Sequence, residues 1–226
     1  MKIISHRGAR GLAPENTIKG IEKAMMHNVD EIEIDVRVTK DNQVILNHDE
    51  ELTDASGNKL LIKEANYQEL KKHKTDLTTL DEAITVINKK IPLHIEIKPT
   101  EPTEEIIKII KSYLAKGWKD SNFLIASYDQ KILLTTHAAL PGIKKVVVET
   151  WSSWSAIRRA KAVDTKRLSM NQLWLWSYFI KSMTKTGWQL SAYTLNDASK
   201  AKRWAKLGLY AAITDYPDLM KKWFIL

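Results

Sequence analysis

The feature that most restricts the fold of this 226-residue chain is a pattern that alternates eight times between strand and helix without a break. Strand-like runs fall at residues 3–5, 31–36, 93–97, 123–127, 145–149, 167–171, 189–194 and 211–214. Between them, apolar residues recur at helical spacing over 15–27, 80–89, 103–116, 129–139, 152–163, 177–185 and 197–206, with a last helix at 217–224. Pro14 and Pro217 stand where a first helical turn would begin, a position proline favours. Such an α/β chain closes most simply as a single-domain (β/α)8 TIM barrel over residues 1–226. A doubly wound open sheet fits less well, because no Gly-rich dinucleotide fingerprint follows the first strand. The one irregularity is a hairpin, signalled by Asp41-Asn42, and an insert over 50–76, both after the second strand.

The second strand, "DEIEIDVRV", carries the first chemical signal. Side chains two apart point the same way, so Ile32, Ile34 and Val36 share one face and Glu33 and Asp35 the other. In a barrel the aliphatic face packs on the helices, which sends both carboxylates inward. Two buried like charges repel and are costly to desolvate, so a cation must sit between them. The third barrel strand, "PLHIEIKP", repeats the device with Glu96 and Lys98 on one face. Three inward carboxylates on adjacent strands point to a divalent cation.

Polar residues also gather at the C-terminal strand ends, where barrels build their active sites. His6 and Arg7 end the first strand, His48 ends the hairpin, and Ser127, Glu149, Asn171, Tyr193 and Asp215 end later ones. No cysteine is present, which excludes disulfides and thiolate metal sites. With a strand pattern from Lys2 and no apolar run of membrane-spanning length, the expected location is cytoplasmic. The net charge of +8 comes mostly from lysine, with no compact basic block. That describes a soluble surface that attracts anionic substrates rather than a nucleic-acid binder.

"HRGARGLAPENTIKGIEKA", "EIEIDVRVTKDNQVILNHDEEL" and "LHIEIKP", followed by "TTLDEA", "IASYD" and "LSAYTLND…AAITDYP", resemble the glycerophosphodiester phosphodiesterases over most of the chain. The resemblance implies a metal-dependent barrel enzyme that cleaves a glycerophosphodiester to glycerol 3-phosphate and an alcohol. It implies Glu33, Asp35 and Glu96 as ligands of one Mg²⁺ or Ca²⁺, and His6 and His48 as the acid–base pair, with neither role assigned. Arg7 and Lys98 would hold the phosphate, and Asp49 would orient the site. The family's proposed route uses the substrate's own glycerol hydroxyl and a cyclic phosphate. Phospholipase D-like cleavage of lysophospholipids or sphingolipids, with contact at a membrane surface, is an alternative, as is a non-catalytic phosphodiester-binding barrel.

The residue types suit this chemistry. Oxygen ligands favour a hard dication, which with Arg7 and Lys98 would withdraw charge from a phosphodiester. Histidine, with an ordinary pKa of about 6.5, suits proton transfer in either direction near neutrality. Gly8 and Gly11 are expected to bring backbone N–H groups toward the phosphate. Asn16 either stands behind the metal ligands or starts the first helix, and Glu149 either extends the acidic site or pairs with a lysine. Tyr193 is a candidate wall of the glycerol pocket, and Ser127 and Asp129 are candidate helix caps. His27, His73, His94 and His137 are expected to be structural, His94 on the face opposite Glu96. Trp151, Trp154, Trp174 and Trp176 are expected in the core between helices and barrel, with an aromatic rim at the active face as the sharper alternative. Two departures from the family pattern are Asp54, where arginine is usual, and Asn28, where glycine is common and asparagine tolerates the turn.

Overall fold

The computed structural model describes residues 1–53 and 56–225. Asp54 lies outside the described residues. In chain order the strands are β1 (Lys2–Ser5), β2 (Glu31–Val38), β3 (Val44–Leu46), β4 (Glu51–Thr53), β5 (Lys59–Leu61), β6 (Leu93–Ile97), β7 (Phe123–Ser127), β8 (Lys144–Glu149), β9 (Arg167–Asn171), β10 (Gln189–Tyr193) and β11 (Ala211–Thr214). The α-helices are α1 (Ile18–Met26), α2 (Tyr67–His73), α3 (Leu80–Ile87), α4 (Glu104–Ala115), α5 (Gln130–Ala139), α6 (Ser153–Ala162), α7 (Ser177–Lys185), α8 (Ala198–Ala205) and α9 (Pro217–Ile225).

Parallel pairing runs β1-β11-β10-β9-β8-β7-β6-β2, and β2 returns to β1, so eight strands close into the expected barrel. β3 folds back antiparallel on β2, with Val36 opposite Leu46, which is the hairpin announced by Asp41-Asn42. β4 and β5 form a separate small ladder in the insert.

The two faces of each strand divide the core. Ile32, Ile34, Val36, Ile95 and Ile97 point outward and pack with Ile21, Ala24, Ile84, Ile106 and Ile110 of the surrounding helices. Inside, Leu124, Ala126, Val146 and Val148 fill one side of the barrel, and Ile4, Ala211 and Ile213 another. The remaining interior is polar and in part ionic, with Ser169 and Ser191 buried beside charged groups. Lys2 Nζ lies 2.9 Å from Glu31 Oε1, and Arg167 donates to the Tyr210 hydroxyl at 2.8 Å. His94 Nδ1 lies 3.6 Å from Glu31 Oε2. His94 is therefore structural, as expected, but it faces inward. Positions 94 and 96 have the same strand parity, so His94 shares Glu96's face rather than the opposite one.

Two local expectations change. The first helix begins at Ile18, not residue 15, because Asn16 is left-handed (φ 55°) and Thr17 is the N-cap, its hydroxyl accepting from Gly20 N. Pro14 thus sits in the loop, whereas Pro217 does open α9. Asn28 has φ 49°, the left-handed turn that asparagine accommodates. The tryptophans at 151, 154, 174 and 176 are all exposed, so their placement in the core is overturned. Trp151, Trp174 and Trp176 stand in the connections that follow β8 and β9, and Trp154 stands in the first turn of α6.

Candidate active site

At the C-terminal end of the barrel a cleft of about 620 Å³ is lined by His6, Arg7, Glu33, Asp35, His48 and Asp49. Glu96, Lys98, Asn171 and Tyr193 line it as well. Every proposed ligand, both histidines and all three proposed substrate contacts therefore meet in one cavity. His27, His73 and His137 do not line it.

The acidic centre follows from register. Asp35 is the direct neighbour of Glu96 across the β2–β6 ladder, and Glu33 lies one inward step below Asp35. One carboxylate oxygen from each of Glu33, Asp35 and Glu96 lies within 4.8 Å of the other two. Lys98 Nζ sits 2.6 Å from Asp35 Oδ1 and 2.6 Å from Glu96 Oε1, and Arg7 Nε lies 3.3 Å from Asp35 Oδ2. Arg7 also spends charge on Glu15 at 3.0 Å. Three carboxylates against these two cations leave the cluster acidic, and its donors are all oxygen. That is the environment a hard divalent cation fits.

The electrostatics divide the three acids. Burial would push the Asp35 carboxyl up, but Lys98 and Arg7 outweigh it and bring its pKa down to about 2. For Glu33, burial and then the charges of Asp35 and Glu96 act together and push it well above the ordinary carboxylate range. A cation among the three would relieve that repulsion. Lys98 is itself held above its ordinary value: burial opposes the charge, and Glu96 and Asp35 prevail.

The backbone around the first strand's end is shaped to support these acids. Arg7 (φ 50°) and Gly8 (φ 83°) turn the chain so that Arg7 N donates to Glu33 Oε2 at 2.8 Å and Gly8 N to the Glu33 carbonyl at 2.9 Å. A Cβ on Gly8 would meet Gly20 backbone at 2.9 Å, so the close approach requires glycine. Gly11 N donates to Asp215 O. The loop amides are thus taken up by the protein rather than offered to a phosphate, which corrects the expectation for Gly8 and Gly11. Asn16 resolves toward the site: its Nδ2 donates to Asp35 Oδ2 at 3.0 Å and its Oδ1 accepts from Asp35 N at 3.1 Å.

The histidines are mounted differently. His6 Nδ1 lies 2.6 Å from Asp215 Oδ1, and Asp215 Oδ2 accepts from Asn196 Nδ2 at 2.8 Å. His48 Nδ1 lies 2.7 Å from Asp49 Oδ1, in a more exposed position. The hairpin bearing His48 is pinned by Arg37, which donates to the His48 carbonyl from Nε and Nη2 and pairs with Glu101 at 2.8 Å. In each pair, a proton held on Nδ1 leaves Nε2 as the atom for exchange with substrate.

Two candidates settle outside the acidic centre. Glu149 is buried, pairs with Arg159 at 2.6 Å and accepts from Thr150 N, so it neither joins the acids nor meets a lysine. The physical reason is strand parity: Val146 and Val148 take the inward positions of β8, and Glu149 faces α6. Tyr193 donates its hydroxyl to the Glu149 carbonyl at 3.1 Å and walls the cleft with its ring. Asp129 caps α5 by accepting from Lys131 N and Ile132 N, and Ser127 Oγ donates to Ile97 O.

Sequence reasoning assigned no role to Arg10, Arg37 or Asn196, and placed Asp215 at a strand end without giving it a partner. Arg37 is two positions beyond Asp35 on the same strand face, and Arg10 closes the "HRGAR" run and lines the cleft. Those spacings were the available signal. Nothing local links Asn196 and Asp215 to His6.

Comparisons with known proteins accord with this geometry. Residues 6–219 match the model of the glycerophosphoryl diester phosphodiesterase family. A phosphodiesterase of Oleispira antarctica, solved in complex with the product sn-glycerol 3-phosphate, superposes with a TM-score of 0.89 at 28% identity, covering 100% of this chain and 97% of that one. YhdW of Bacillus subtilis is 28% identical over 98% of this chain and 97% of its own. The human lysophospholipase D GDPD1 is 26% identical, covering 97% of this chain and 85% of its own.

Proposed function

The chain belongs to the glycerophosphoryl diester phosphodiesterase family, and we propose that its cleft hydrolyses glycerophosphodiesters to sn-glycerol 3-phosphate and an alcohol by metal-assisted acid–base chemistry. One observation carries the reading: Glu33, Asp35 and Glu96 converge within 4.8 Å in the cleft that His6 and His48 also line. The product complex of the Oleispira antarctica relative supports glycerol 3-phosphate as the product.

Glu33, Asp35 and Glu96 would hold one divalent cation, Mg²⁺ or Ca²⁺. Bound there, it would supply Lewis-acid neutralisation of phosphate charge. Arg7 and Lys98 present the remaining positive charge to the phosphate, fixed in place by Asp35 and Glu96. A phosphodiester needs one proton removed from the attacking oxygen and one delivered to the leaving alkoxide. His6 and His48, each with Nδ1 beside a carboxylate, are the two groups that meet this need. Tyr193 gives the glycerol moiety an apolar wall. Two further parts of the reading are that residues 1–226 act as one catalytic unit and that they act in the cytoplasm. The first draws support from the hydrophobic core that continues around the whole barrel.

A second reading, cleavage of lysophospholipids, is favoured by the exposed aromatic loops beside the cleft. The test is release of glycerol 3-phosphate from a panel of headgroup diesters, run beside alcohol release from lysophosphatidylcholine. Turnover of glycerophosphocholine supports the first reading, turnover of the lysolipid alone supports the second, and cleavage of neither rejects both.

A further inference from the structure

We propose that the loops following β8 and β9 dock this protein onto an anionic phospholipid bilayer, with the catalytic cleft opening beside the lipid surface. The inference goes beyond the diesterase reading, since lipid binding does not depend on which ester, if any, is cleaved.

Six large side chains project from these two loops and the starts of their helices: Trp151, Trp154, Leu173, Trp174, Trp176 and Tyr178. Each keeps more than half of its surface open, up to 78% for Tyr178. β8 and β9 are neighbours in the barrel, so the two groups lie side by side at one end of the molecule. Scattered apolar residues need no explanation, but a concentration of this size marks a surface meant to be covered. Tryptophan and tyrosine, apolar bodies with a polar N–H or O–H, are the side chains that suit a bilayer's interfacial zone.

Charge selects the occupant. Residues 150–206 contain eleven lysines and arginines against two aspartates, while the remainder of the chain has 24 basic and 25 acidic residues. The basic excess is thus carried in sequence by the segment that bears the apolar loops, with Arg159 taken up by Glu149 and Arg167 turned into the barrel beside Tyr210. Two of its cations stand at the loops themselves. The Arg158 guanidinium lies 5.5 Å over the Trp154 ring, and Lys200 Nζ donates to Gln172 Oε1, next to Leu173. Basic groups flanking interfacial aromatics attract anionic headgroups. A second copy of this chain is a poor alternative, because a two-fold contact would bring the same basic segment against itself.

Position ties the surface to the site. Thr150 and Asn171 line the cleft, and Trp151 and the Gln172–Trp174 turn follow directly in sequence. A bilayer resting on these loops would bring lipid headgroups, or diesters leaving the membrane, to the cleft's rim.

The experiment is flotation of the protein with vesicles of phosphatidylcholine containing one-third phosphatidylglycerol, beside vesicles of phosphatidylcholine alone. Tryptophan quenching by brominated phosphatidylcholine is read on the same samples. Expected are binding to the anionic vesicles, weakening with salt, quenching by the brominated lipid, and a loss of at least about tenfold in affinity for Trp151→Ala/Trp154→Ala and for Leu173→Ser/Trp174→Ala. Turnover of water-soluble glycerophosphocholine by these variants should equal that of the parent. Arg158→Glu, a surface change that leaves the packing alone, should also weaken binding and covers the case in which an aromatic variant fails to fold. No binding by the parent protein, or binding indifferent to all three variants, overturns the proposal. So does a dimer in lipid-free solution that the same substitutions dissociate. Vesicle binding without diester turnover would leave the docking surface standing and reject the diesterase reading instead.

Discussion

His6 and Asp215, 209 positions apart in sequence, meet at 2.6 Å across the seam where the last barrel strand closes against the first. Asn196 holds the other Asp215 oxygen, so the imidazole is braced by a carboxylate that is itself braced. The second imidazole, His48, has only the exposed Asp49 behind it. One proton-transfer group is thus part of the closed barrel and the other rides on a hairpin.

This asymmetry predicts unequal effects of removing the two carboxylates. Asp215→Asn should lower kcat on the order of 10²-fold with little change in KM, because the imidazole loses its tautomer and its orientation. Asp49→Asn should cost less, since solvent can replace an exposed partner. Steady-state kinetics of the two variants on one diester checks the order, and a larger loss for Asp49→Asn would contradict it.

Glu149 and Arg159 are expected to matter to stability alone. Arg159→Met leaves a buried carboxylate without its partner, which costs about 3–5 kcal/mol when a buried pair is broken. The folded fraction should retain the parent's kcat, because Glu149 faces α6 rather than the acidic centre. Denaturant unfolding and kinetics measured on the same preparations separate these outcomes. A loss of kcat at unchanged stability would return Glu149 to the site.

The ionic floor of the barrel predicts an acid limit. For Glu31, burial would raise the carboxyl, but His94 and Lys2 outweigh it and lower its pKa from 4.5 to about 2. A carboxylate depressed in the folded state contributes stability above its unfolded pKa and loses it as pH falls through the folded value. The contribution is about 3 kcal/mol, present above about pH 5 and gone below about pH 2. Urea midpoints across that window should fall more steeply for the parent than for Glu31→Gln. Parallel curves would remove Glu31 from the account.

Much of the site was legible in sequence because strand periodicity is local. Glu33, Asp35, Glu96 and Lys98 declared their face by spacing alone, and the same rule, applied to position 94, would have turned His94 inward. What was not legible depended on distant contacts. Asn16 is left-handed and interrupts the first helix because Asp35 grips it at both ends. Glu149 finds Arg159 one helix further on, and Asp215 finds His6 only when the barrel closes. Trp151, Trp174 and Trp176 lie outside any periodic run, so nothing in the pattern distinguishes a packed ring from an exposed one there.

The central claim is that Glu33, Asp35 and Glu96 together hold one divalent cation on which phosphodiester cleavage depends. The direct measurement is glycerol 3-phosphate release by chelator-stripped protein as Mg²⁺ or Ca²⁺ is returned, beside Glu33→Gln and Glu96→Gln. No release is expected before the cation is added, with recovery that saturates at a single site and little or no recovery in either variant. Release at the same rate with and without chelator would contradict the claim.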